Sequence, residues 1–281
     1  MTGSTPEPIQ ATSILNAWMS AVNAAMAVAN HAMPPLVISI RGGAQSLPAD
    51  SDRQVAMIDA FLENEGIRRG SFIASTAQSA LTIFPYQLWI RRGKPSAACF
   101  CKLCVTQLYP RMKKINSLNK YGTYFQRMMG YPIPSSTKGE TVGQLEHVID
   151  LMAVTNYRYK ESSLQMPVFH PMLDHTNQRR RGFPCLQQVG VSWTGDGFAL
   201  NAFYPTQYLV DRGLGNYIGL THLGMFMAHE SGRAFVQLNI YVGSPTIAPA
   251  RKSDVKALLT SMNEAKDAAA NGEKPEENDG D

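Results

Sequence analysis

Hydrophobic and polar positions along the chain alternate between two periods. Thr12 and Ser13 cap an apolar, Ala-rich run that predicts a helix from about 14 to 32. Leu36 to Arg41 is β-branched and ends at Gly42-Gly43, the pattern of a strand and turn. From Gln54 to Asn64 the apolar positions 55, 57, 58, 61 and 62 recur at helical spacing. A strand is expected over Ser71–Thr76, and Ser96–Leu108 reads equally as helix or strand. Val142, Leu145, Val148, Ile149 and Met152 share one helical face. The second half is richer in strands. Leu186–Trp193 and Phe198–Phe203 flank Thr194-Gly195-Asp196-Gly197, a hairpin signal. An apolar helix over Tyr217–His229, a strand over Ala234–Val242 and a short helix over Val255–Met262 follow.

Strands and helices mix without a regular βαβ rhythm, and no internal repeat is visible. The expectation is an α+β fold in which helices flank a large mixed or antiparallel sheet. Residues 1–11 read as a flexible polar tail, 12–262 as a single domain and 263–281 as a disordered acidic tail.

Composition refines this picture. At 281 residues and 44% hydrophobic, the chain is long enough for one large core. Its 17% charged residues fall below the usual figure of about 25%, which points to extensive burial and to a subunit interface. No apolar run approaches membrane-spanning length, and Trp18–Ala32 carries Asn23, Asn30 and His31, unlike a signal peptide. Cys99, Cys101, Cys104 and Cys185 lack disulfide-framework spacing, so a reduced, cytoplasmic setting is expected. The net charge of +4 hides an asymmetry: from Asn263 on there are seven acids against two lysines, leaving a basic body. Such a body suits an anionic ligand, a nucleotide before a polynucleotide.

The chemistry centres on Phe183-Pro184-Cys185 and, about thirty residues later, Gly213-Leu214-Gly215-Asn216-Tyr217. Arg179-Arg180-Arg181 just upstream would favour a thiolate at Cys185 and bind phosphate in bidentate fashion. Cys99-x-Cys101-x-x-Cys104 brings three thiols together without a fourth nearby ligand, among apolar neighbours that suit a core, so no metal site is assigned. His170 and His175 are candidates for a proton shuttle beside the thiol.

Over about 120–242 these blocks are colinear with a known family. Lys120-Tyr121-Gly122 through Arg127, Gln144 to Ile149, Phe183-Pro184-Cys185, Gly195-Asp196-Gly197, Leu200 to Tyr204, Gly213 to Asn216 and Leu238 to Tyr241 follow in the family's order. The stretch resembles the thymidylate synthase superfamily, which includes the pyrimidine hydroxymethylases. The resemblance implies a homodimer that transfers a methyl or hydroxymethyl unit from 5,10-methylenetetrahydrofolate to C5 of a pyrimidine nucleotide. It implies Cys185 as the nucleophile that adds to C6, with Tyr121 beside it in the catalytic set. Asn216 would pair with the ring edge, where an amide offers donor and acceptor together. Tyr241 would contact the ribose, and Gln188, Arg41, Arg158, Arg179, Arg180 and Arg181 would complete the nucleotide site. The chain also departs from the pattern. Tyr204-Pro205-Thr206-Gln207 stands where the family has Tyr-Gln-Arg-Ser, Leu186 where histidine is usual, and Asn239-Ile240-Tyr241 for His-x-Tyr. A non-catalytic nucleotide-binding protein and an enzyme acting on a polynucleotide or a natural-product precursor are the alternatives.

Overall fold

The computed structural model describes residues 7–28, 33–47, 52–115, 122–133, 140–154, 162–175 and 185–272. Its elements are β1 (Ile9–Ala11), α1 (Ile14–Ala27), β2 (Leu36–Arg41), α2 (Asp52–Arg69), α3 (Thr76–Ile83), α4 (Tyr86–Arg91), α5 (Ala97–Leu103) and α6 (Tyr109–Ile115). There follow α7 (Tyr124–Met129), β3 (Tyr131–Pro132), β4 (Thr141–Val142), α8 (Gln144–Val154), β5 (Gln165–Pro167) and α9 (Pro171–Asp174). The last are β6 (Gln188–Trp193), β7 (Phe198–Tyr208), α10 (Leu214–Ser231), β8 (Phe235–Thr246) and α11 (Lys252–Gly272).

Six strands form one mixed sheet in the order β1-β2-β8-β7-β6-β5. β1 runs parallel to β2, and β8 parallel to β7; the other neighbours are antiparallel. The 194–197 hairpin joins β6 to β7, with Thr194 N–H donating to Gly197 O at 2.9 Å. Strand alternation gives the sheet two different faces. Leu36, Ile38, Ile40, Val189, Val191, Leu238 and Ile240 point into the core. The other face carries exposed Val37, Arg41, Gln188, Phe203 and Tyr241.

On the core face, α1 buries Ile14, Ala17, Trp18, Ala21, Val22 and Ala25, a stripe at helical spacing. α10 is buried almost all round and forms the centre of the molecule. Its glycines set how closely α3 approaches: a Cβ on Gly215 would lie 2.6 Å from both Ser79 Cβ and the Thr76 carbonyl. Phe84, Trp89, Phe100, Phe125 and Phe226 fill the space beneath, with Phe84 and Phe226 ring centroids 4.7 Å apart. The α+β reading with a large mixed sheet therefore holds.

Several local expectations change. Ser71–Thr76 is not a strand: Ser75 Oγ accepts from Gln78 N–H at 3.2 Å while Gln78 Oε1 accepts from Ser75 N–H at 2.9 Å. This reciprocal capping box starts α3 and outweighs the short apolar run before it. Ser96–Leu108 resolves as helix, α5 running into a π turn over Cys104–Leu108. α11 continues to Gly272, beyond the boundary drawn at 262, after burying Val255, Leu258, Leu259 and Met262. Ile9–Ala11, inside the stretch read as a tail, extends the sheet.

Candidate functional site

Cys185 lies just ahead of β6, where Gln187 N–H donates to Phe203 O at 2.9 Å and Gln188 pairs with Phe203. The chain therefore delivers the thiol beside the later part of β7, next to inward-facing Tyr204. Cys185 is half-buried. Burial pushes its thiol above the ordinary range; the Arg212 charge and a hydrogen bond with the Tyr124 side chain pull the other way. Tyr124 opens α7, whose N-terminus is fixed by Thr123 Oγ1 accepting from Gln126 N–H at 3.2 Å. Its phenol is pushed up by burial and by Cys185, opposed by Arg212 and by backbone hydrogen bonds at Cys185 and Leu186.

Arg212 arrives through a local irregularity. Leu209–Gly213 forms a π turn between β7 and α10, and such turns are frequent at functional sites. Trp18 Nε1–H donates to the Leu209 carbonyl at 2.7 Å and anchors the turn to α1. Two consecutive side chains then diverge. Asp211 accepts from Arg69 Nη1 at 2.7 Å, within a cluster in which Glu65 also binds Arg68 and Arg69. Arg212 Nη1 donates to Ser79 Oγ at 3.1 Å and forms no ion pair among the described residues.

Behind the thiol, Tyr204 and Tyr217 are fully buried and Gln207 is 1% exposed. Tyr217 Oη donates to Gln207 Oε1 at 3.2 Å. Asn216, 4% exposed, precedes Tyr217 in the first turn of α10. The helix starts at Leu214 with Gly213 as its N-cap, so Asn216 is not the cap residue.

The predicted site residues separate into three groups. Cys185 and Asn216 lie on the core side of the sheet. Arg41, Gln188 and Tyr241 lie on its opposite face, where Tyr241 pairs with Val37 and stacks on Phe203 at 5.6 Å. Tyr121, Arg158, Arg179, Arg180 and Arg181 fall outside the described residues. Tyr124, Tyr204, Gln207, Arg212 and Ser79 were not anticipated. The one available signal is that Arg212 stands four residues, about one helical turn, before Asn216.

The histidines have structural partners. His170 Nδ1 accepts from Met172 N–H at 3.2 Å and the ring stacks on Tyr131. Nearby, Arg127 Nη2 donates to Asp174 Oδ1 at 2.8 Å in a buried bidentate pair. Cys101 and Cys104 face the core while Cys99 is exposed. Among the described residues, no group of three His, Cys, Asp or Glu is arranged to hold a metal, and no helix is long and apolar enough to cross a membrane.

A cleft of about 630 Å³ opens beside Arg212, lined also by Arg69, Phe72, Ile73, Tyr208 and Pro249. Its exposed aromatic ring, Phe72, can stack on a planar group, and the guanidinium of Arg212 offers donors, beside the Asp211 carboxylate on the same wall. Compared with protein-family models and with curated proteins, the chain finds no match in either.

Proposed function

We propose that this protein is a divergent, thymidylate-synthase-like enzyme that transfers a methyl or hydroxymethyl unit to C5 of a pyrimidine nucleotide. Cys185 Sγ adds to C6, and the ring electrons move onto the C4 carbonyl oxygen as an enolate. C5 then becomes the nucleophile. After C5 has taken the new carbon and lost its proton, the C6–S bond breaks and the thiolate leaves. The one-carbon unit comes from 5,10-methylenetetrahydrofolate as co-reactant: its methylene carbon bonds to C5 and parts from the folate nitrogen, and the unit is completed either as hydroxymethyl by water, releasing tetrahydrofolate, or as methyl by hydride from the tetrahydrofolate, releasing dihydrofolate. The observation that carries the reading is the half-buried Cys185 thiol within electrostatic reach of the Tyr124 side chain and of the positive charge of Arg212. Arg212 supplies a cation at the site where Thr206 has replaced the arginine of the resembled pattern.

The same reading makes the protein a cytoplasmic homodimer. The sheet face opposite the core supports a self-association surface: Val37, Phe203 and Tyr241 are exposed there. Its amides are already bonded to one another, as in Asn239 Nδ2–H to Asn201 Oδ1 at 2.9 Å and Gln188 Nε2–H to Gln165 Oε1 at 2.6 Å. Such a face can be covered without leaving those groups unpaired.

The test is incubation with methylenetetrahydrofolate and each of dUMP, UMP, dCMP and CMP, followed by mass spectrometry of nucleotide and protein. One nucleotide should gain mass, or a protein–nucleotide adduct should form, and Cys185→Ala should abolish both. A folded wild-type protein that yields neither with any of the four refutes the proposal. The upward push on the Cys185 thiol favours one second reading, a nucleotide-binding protein without turnover. That protein would bind a nucleotide equally well as Cys185→Ala and form no adduct.

A further inference from the structure

Two buried donors behind Cys185 have no partner. Tyr204 and Gln207 both point inward from β7, and they are 0% and 1% exposed. Tyr217 occupies Gln207 Oε1, which fixes the amide with its NH2 group turned away from Tyr217. Gln207 Nε2 and Tyr204 Oη make no hydrogen bond among the described residues. Buried polar groups are nearly always paired, and an unpaired one lowers stability. Tyr204 is also within electrostatic reach of Cys185, Tyr124 and Tyr217. Sheet pairing delivers Cys185 beside Tyr204, and the π turn after Tyr208 brings the start of α10 to Gln207.

We propose that Tyr204 Oη and Gln207 Nε2 are substrate-recognition donors that hydrogen-bond a carbonyl oxygen of the ring engaged by Cys185. This rests on the pyrimidine reading above and specifies it. Two buried donors without a partner call for an acceptor. A ring with an amino group in place of that carbonyl leaves both donors unpaired and is rejected. Gln207 stands where the resembled pattern has serine, so this edge is a feature of this chain.

The experiment compares full-length wild type, Tyr204→Phe, Gln207→Glu and Cys185→Ala. Each is unfolded thermally without ligand and titrated calorimetrically with UMP, dUMP, CMP and dCMP. Tyr204→Phe removes an unpaired hydroxyl, so the ligand-free variant should melt at or above the wild-type temperature. It should bind the preferred nucleotide at least about tenfold more weakly. Gln207→Glu keeps the acceptor for Tyr217 and loses the free donor, and should weaken binding by at least a similar factor. Should the glutamate variant fail to fold, Tyr204→Phe decides alone. Binding by Tyr204→Phe equal to wild type overturns the inference, as does a marked loss of ligand-free stability, which would reveal a structural partner. Nucleotide binding with no adduct or product at Cys185 refutes the enzyme reading but leaves this recognition edge standing. No binding of any of the four nucleotides refutes both.

Discussion

The Arg127–Asp174 pair allows a stability effect to be worked from geometry. Arg127 is 9% exposed and Asp174 6%. The guanidinium grips both carboxylate oxygens and also donates to Val168 O at 2.9 Å, while Asp174 accepts from His170 N–H at 2.7 Å. Arg127→Met leaves the carboxylate buried with one remaining donor. Removing one partner of a buried ion pair typically costs about 3–5 kcal/mol. The surviving His170 bond places this case near the lower end, about 3 kcal/mol. For a chain of 281 residues that corresponds to a fall of roughly 6 °C in Tm. Asp174→Asn keeps an acceptor for His170 but strands the guanidinium, with a loss of similar size. In Arg127→Met/Asp174→Asn no charge remains buried, so the double variant should lose at least about 2 kcal/mol less than the sum of the single losses. Equilibrium unfolding in urea, followed by circular dichroism and tryptophan fluorescence, measures all four corners of the cycle. A loss below about 1 kcal/mol in Arg127→Met, or additivity within about 0.5 kcal/mol, refutes the reasoning.

Four further outcomes follow from other sites. The Glu65 carboxyl is held at about 2, first by its hydrogen bond to Arg68, against an ordinary 4.5. Its contribution is complete above the unfolded value and disappears as pH falls from about 4.5 towards 2, so the stability gap between wild type and Glu65→Gln should shrink over that window. A gap independent of pH would refute this. Burial raises the Cys185 thiol, so alkylation by iodoacetamide should accelerate through and beyond the ordinary thiol range. Arg212→Met should move that profile to higher pH, and an unmoved profile contradicts the assigned electrostatics. Gly215→Ala forces a methyl against Ser79 and the Thr76 carbonyl, and should cost about 1–3 kcal/mol by chemical denaturation; a neutral effect would refute the close packing of α3 on α10. Phe203→Glu or Tyr241→Glu should convert a dimer to a monomer by light scattering, and a wild-type monomer, or a variant that remains dimeric, rules out that face.

Local pattern was sufficient wherever an element presents one apolar face to one core. The alternation of Leu36, Ile38 and Ile40 against Val37 and Arg41 marks β2 and its buried side. The i, i+3, i+4 spacing from Ile14 to Ala25 marks α1 in the same way. Pattern was insufficient where a single side chain decides. The Ser75–Gln78 capping box turned an expected strand into the approach to a helix. On α10, burial all round removes the amphipathic signal, and the Tyr217–His229 reading missed its first turn.

The sequence by itself determined the fold class, the succession of the central strands along the chain and the placing of Cys185 ahead of a strand, because these depend on local periodicity and turn residues. Only the tertiary structure decided what surrounds the thiol. Tyr124, Tyr204 and Arg212 come from a helix start, a strand and a π turn distant from Cys185 in the chain, and sheet register with helix packing brings them to it. The same register separated Arg41, Gln188 and Tyr241 from the cysteine. A strand sends successive side chains to opposite faces, so which face a residue serves depends on pairing that motif order does not encode.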